Sequence, residues 1–195
     1  MQMKNKSLLL TIIVFILVLN SSAQVHTIGD KYGGGIVFYI SDSGRHGLIA
    51  ATADQSEGIQ WYNGVYTYIG DTIREDVGAG AKKTAIIMAS LSKDNPKGNF
   101  AARVCVDYLV TVDGITYNDW YLPSLFELNL LQLQKDVVGG FNDYYGGSYW
   151  SSTEGGFGNQ TKAATRIISA QSTANDRQRN WDKMFKNRVR AIRAF

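Results

Sequence analysis

Two histidines, His26 and His46, and one cysteine, Cys105, are all that the chain offers for imidazole, thiolate or soft-metal chemistry. A nucleophilic triad or a histidine-rich metal site needs several such groups converging, and zinc-type spacing is absent. His46 stands beside Gly47 as a turn or packing residue. Cys105 lies in the apolar stretch Phe100-Ala101-Ala102-Arg103-Val104-Cys105-Val106-Asp107-Tyr108 and reads as a small buried hydrophobe. Being single, it can form no disulfide within the chain. Glu127 stands three residues after Ser124, the spacing of a helix capping box, which accounts for it without catalysis. Glu154 has no evident partner carboxylate for acid–base work. The expectation is therefore not an enzyme.

Charge gives a stronger lead. The whole chain carries a formal +3, unevenly spread: residues 24–160 hold 9 basic and 15 acidic groups, net −6, and residues 161–195 hold 9 basic and 2 acidic, net +7. Such asymmetry suits a polyanionic partner. Within the basic segment Arg177, Arg179, Trp181, Lys183, Lys186 and Arg188 form the candidate ligand-binding set, with Arg190 and Phe185 alongside. Guanidinium forks and ammonium groups suit sulfate, phosphate and carboxylate, and the rings add flat apolar surface. The competing reading is that these cations balance the acidic remainder of the same domain. Asp113, Asn118 and Asp119 could supply oxygens to a calcium ion, although an Asp/Asn/Gly loop serves equally as a turn. No other cofactor is expected. Gly33-Gly34-Gly35 precede a strand and no Gly-Lys-Ser/Thr follows, which argues against a nucleotide loop.

The elements that must position these residues read as α+β. Lys4 and Lys6, the apolar run Leu8 to Leu19 and the small residues Ser21-Ser22-Ala23 form an export signal over residues 1–23. The run is short for a membrane span, so residues 24–195 are expected to be one exported domain with no span after cleavage. Ile36–Ile40 and His46–Ala51 make a hairpin. Residues 52–80, with Trp61, Tyr62, Tyr66 and Tyr68 among glycines, form a long irregular loop of the kind that carries binding. Helices are expected over Lys82–Leu91, from Phe100 to about Leu109, and from Leu125 to Val138. Strands are expected at Asp119–Leu122, Ser148–Thr153, Thr161–Ser169 and Arg188–Ala194, the last with a bulge near Ile192, and a polar turn around 173–176. Helices early and strands late give α+β rather than a parallel βαβ array.

Several phrases occur in order: Tyr32-Gly33-Gly34-Gly35-Ile36-Val37-Phe38-Tyr39, His46-Gly47-Leu48-Ile49-Ala50-Ala51, Ile59-Gln60-Trp61-Tyr62, Asn118-Asp119-Trp120-Tyr121-Leu122-Pro123-Ser124, Tyr149-Trp150-Ser151-Ser152-Thr153-Glu154 and Val189-Arg190-Ala191-Ile192-Arg193. Together they resemble the C-terminal domain family of the Legionella collagen-like protein, distantly similar to the formylglycine-generating enzyme and to C-type lectins. The resemblance implies a C-type-lectin-like α+β fold of short antiparallel strands, about three helices and long loops, with Trp120 and Trp150 in the core. It also implies a surface recognition or adhesion domain for a glycan, including sulfated glycosaminoglycans, or for a protein ligand, and no role with nucleic acid. The cysteine pair of the formylglycine-generating enzymes and the Glu-Pro-Asn and Trp-Asn-Asp phrases of calcium lectins are missing. A structural accessory of an envelope assembly and an unrecognised enzyme are the alternatives. Oligomeric state and the choice between periplasm, cell surface and medium stay open.

Overall fold

A computed structural model gives the fold and describes residues 24–70, 73–141, 147–156, 160–169, 171–173 and 178–195. The expected export signal, residues 1–23, lies outside the described residues, as do Arg177 and most of the turn expected at 173–176. The architecture is mixed α+β: eleven short strands and four helices among the described residues. No helix among them is long and apolar enough to cross a membrane.

The chain opens with β1 (Lys31–Tyr32) and β2 (Gly35–Ser41), joined by Gly33 and Gly34 at φ 56° and 86°. Both central turn residues are left-handed, the two-residue hairpin geometry that glycine adopts without a Cβ clash. A 3₁₀ turn over Asp42–Gly44 leads into β3 (His46–Ala51), which pairs with β2 across a bulge between Val37 and Tyr39. Short β4 (Ser56–Ile59) precedes the long loop, and α1 (Ala79–Asp94) and α2 (Ala101–Val106) follow it. A hairpin beyond the expected elements, β5 (Val110–Val112) and β6 (Ile115–Tyr117), turns on Asp113 and Gly114 at φ 50° and 77°. Then come α3 (Leu125–Leu133), α4 (Lys135–Val138), β7 (Ser148–Glu154), β8 (Lys162–Ile167), β9 (Arg179–Asp182), β10 (Asn187–Val189) and β11 (Ile192–Ala194).

Two main sheets result, with strand orders β1-β2-β3-β11 and β4-β10-β7-β8-β9, antiparallel except where β10 runs parallel to β7. The expected strand Arg188–Ala194 is in fact two strands in different sheets, β10 and β11. The break falls where the Arg190 side chain turns into the interior, bonding Asp54 (2.7 Å) and the carbonyls of Ala51, Gly139 and Gly140. Its guanidinium also lies over Phe141, 4.4 Å from the ring centre. This one side chain ties the joint between the sheets to α4's exit.

Other expectations shift for identifiable reasons. Helix α1 begins at Ala79 rather than Lys82 because Gly78 and Gly80 donate backbone N–H groups to the Glu127 carboxylate (2.8 and 3.1 Å), so a group 47 to 49 residues away satisfies its first turn. The single helix expected from Leu125 to Val138 divides at Gln134, whose φ of −110° is not helical. Asp119–Leu122 is not a strand; Tyr121 makes one bridge, to Ile192. The Ser124–Glu127 capping box is present in both directions, at 3.2 and 2.8 Å.

Trp61, Trp120 and Trp150 are all buried. Their indole N–H groups donate to the carbonyls of Ser151, Tyr117 and Ile59, at 2.8, 3.1 and 2.8 Å. A ring buried with its one polar atom satisfied is a core residue, not a sugar platform. Cys105 is wholly buried, and burial pushes its thiol pKa up, away from thiolate reactivity.

Candidate ligand-binding face

The site forms where the long loop meets the edge strand of the five-stranded sheet. Residues 60–70 and 181–186 are more than a hundred positions apart, yet several bonds join them. Tyr66 Oη donates to Asp182 Oδ1 at 2.5 Å, Gln60 Nε2 to the Met184 carbonyl at 2.9 Å, and the Trp61 N–H to the Lys183 carbonyl at 3.0 Å. Tyr62 and Tyr66 pack ring against ring at 4.9 Å, and Trp181 meets Phe185 edge-on at 5.5 Å. Val65, Tyr68, Met184 and Phe185 are each about half exposed, at 54, 50, 50 and 48%. Lys186 is exposed beside them, its Cβ close to Gly58, and Arg179 is exposed at the far end of β9.

Below this surface the loop is held by charge. Lys183 is wholly buried; its ammonium pairs with Glu154 at 2.5 Å, donates to the Thr67 carbonyl at 3.0 Å and sits 4.4 Å from the centre of the Trp61 ring. Glu154 in turn accepts from the backbone N–H groups of Ile69 and Gly70, at 3.1 to 3.2 Å. Burial draws the Lys183 pKa down, against the pull of Glu154 and Asp182 in the other direction.

Further along the loop, Glu75 bonds Lys83, Thr153 Oγ1 (2.6 Å) and the Phe126 N–H (3.1 Å). Burial raises its pKa, but those donors outweigh it and the carboxyl ends below its ordinary range. Glu127, more deeply buried, goes the other way: desolvation outweighs its hydrogen bonds and raises its pKa. Glu154, Glu75 and Glu127 thus anchor the loop and its exit into α1, all by accepting hydrogen bonds.

The expected ligand set divides accordingly. Lys183 must be removed from it, because a wholly buried ammonium committed to Glu154 cannot reach a soluble polyanion. Arg188 is half-buried and paired with Asp54 at 3.0 Å. Trp181 is half-buried and packs against the core, so of the expected set Arg179 and Lys186 remain on the surface, with exposed Tyr68 and part-buried Tyr62 and Tyr66 of the loop as residues that the set left out. The signal for those tyrosines was the aromatic-and-glycine composition of residues 52–80.

The calcium set also changes. Both Asp119 carboxylate oxygens accept from Arg193, at 2.6 and 2.9 Å, so a cation already occupies the ligand that a calcium ion would need. Asp113 sits at the β5–β6 turn with a left-handed φ, and Asn118 is exposed. Among the described residues, no group of three or more His, Cys, Asp or Glu side chains is placed to hold a metal ion.

No protein-family description matches the chain, and no curated protein matches it either.

Proposed function

We propose that residues 24–195 form an exported, non-enzymatic recognition domain that binds an anionic glycan, of which sulfated chains are the best case, on the face shared by the long loop and the β9 edge. The observation that carries this reading is that exposed Tyr68, on the loop, and exposed Phe185 and Lys186, just past β9, stand on two segments joined by the Tyr66–Asp182 bond, with the loop locked from beneath by Lys183 and Glu154. The exposed rings of Tyr68 and Phe185 offer flat apolar contact to a sugar, and the cations Arg179 and Lys186 offer charge to its sulfates. A rigid loop loses less conformational entropy on binding. The α+β order of elements is compatible with a C-type-lectin-like domain, and the sequence resemblance described above supports an adhesion role. The reading calls for no cofactor.

Retention of residues 24–195 on immobilised heparin tests it. Retention is expected to fall with rising salt, to be indifferent to calcium chelation, and to drop sharply in the Arg179→Glu/Lys186→Glu variant. Unchanged retention in that variant would refute this placement of the site. Silence on sulfated and neutral glycans alike would favour a structural accessory of an envelope assembly.

A further inference from the structure

A concavity of about 490 Å³ lies apart from the loop face, between the glycine-rich β1–β2 turn and the β5–β6 hairpin. That volume is within the range of ligand sites. None of its lining residues belongs to the loop face. One wall is the hairpin, whose alternation sends Val110, Val112, Ile115 and Tyr117 to the groove. Thr111 and Thr116 are absent from the lining and bond each other at 2.8 Å. Val112 and Ile115 are 42 and 57% exposed, so the apolar wall is uncovered.

The other wall is main chain. Gly33, Gly34 and Gly35 contribute no side chains, and among the described residues β1 is an edge of the four-stranded sheet. Register decides which of its groups are available. Tyr32 faces Gly35 across the two-residue turn as the hydrogen-bonded pair that closes it, and the Val37 N–H donates to the Asp30 carbonyl at 2.9 Å. Lys31, between them and opposite Ile36, therefore occupies the alternate position, where N–H and C=O point away from β2. One donor and one acceptor, spaced as an incoming strand residue needs them, thus face away from β2 at a residue that lines the groove.

We propose that this groove is a peptide-recognition site that takes an extended segment of a partner protein by strand addition to Lys31, with the partner's apolar side chains under Val112 and Ile115. Charge complementarity narrows the occupant. Lys31 from one wall and Asp113 from the other are exposed, and among the described residues neither is held in an ion pair, so the segment carries one acid and one base flanking its apolar residues. Main-chain pairing supplies affinity and the apolar wall supplies selection.

The test is ¹⁵N-resolved NMR of residues 24–195 with acetyl-Glu-Xaa-Thr-Xaa-Lys-amide, Xaa being Val, Leu or Phe. Saturable shifts are expected at Lys31, Val112 and Ile115. N-methylation of the three central residues, which removes main-chain donors and keeps side chains and charges, should weaken binding by about tenfold, equivalent to one or two hydrogen bonds. Val112→Asp/Ile115→Asp changes exposed positions and should weaken it similarly while leaving heparin retention intact. The proposal is overturned if the N-methylated peptide binds as well as its parent, if decanoate shifts these residues and no peptide does, or if no peptide gives a saturable shift at millimolar concentration.

Discussion

The cations of the C-terminal segment fall into two groups that the sequence does not distinguish. Lys183, Arg190 and Arg193 point inward, each against a carboxylate: Glu154, Asp54 and Asp119. Arg179 and Lys186 point outward and are exposed. The same residue types, interleaved within fifteen positions, thus act either as internal struts or as surface charge. A local net charge of +7 is therefore no measure of a binding patch. Once a cation is buried against an anion, its field is largely cancelled and its contribution passes from recognition to architecture.

The division can be broken from either side. The largest effect is expected at Lys183. Lys183→Met leaves Glu154 buried without its counter-ion and should cost about 3–5 kcal/mol, measured by denaturant unfolding. Adding Glu154→Leu should recover part of that loss, since paired replacement by apolar groups removes the uncompensated charge. A single-variant loss no larger than that of an exposed lysine would show that the strut does not act as described.

Arg190→Met should rank next, with a loss of about 3 kcal/mol, because it leaves Asp54 with only half-buried Arg188 as counter-ion, beside the Tyr149 hydroxyl, and also strips donors from three carbonyls. The outward pair should behave oppositely: Arg179→Glu/Lys186→Glu is expected to change stability by less than about 0.5 kcal/mol while abolishing most salt-sensitive heparin retention. A large stability loss there would place those side chains among the struts.

The smallest expected effect lies at the seam between loop and edge strand. Its hydrogen bond to Asp182, with lesser contributions from desolvation and the Asp182 charge, pushes the Tyr66 pKa up to about 12 from 10.0. Over that interval the folded chain keeps a proton that the unfolded chain has lost, so this group's contribution to stability falls as pH rises from 10 to about 12. Ultraviolet titration should show Tyr66 among the late tyrosines of the wild type, with Tyr108, Tyr121 and Tyr149, whose pKa values burial also raises. In Asp182→Asn Tyr66 alone should move back toward 10, leaving the other three late.

Much of the frame was legible in residue order. The β2–β3 hairpin follows from two apolar runs around a polar turn, and the start of α3 from Ser124 and Glu127, because those interactions span only a few residues. The division at Gln134 and the lone bridge at Tyr121 were not legible, since partners elsewhere in the fold decide them. The basic set was legible as a composition and mistaken in part as a surface. The aromatic composition of residues 52–80 is legible, but the bond of Tyr66 to Asp182 on β9 spans 116 positions and is not.

Sequence by itself determined the local grammar: periodicity, the cap, the glycine turns, a core rich in tryptophan, and one cysteine with no partner. These depend on each residue and its near neighbours along the chain. The tertiary structure alone decided which cations are buried, which carboxylates accept from the loop, and where a bare strand edge faces an apolar hairpin. Each of those outcomes depends on burial and on contacts between residues separated by 29 to 160 positions, and the free energy of a charge is set by what surrounds it in space.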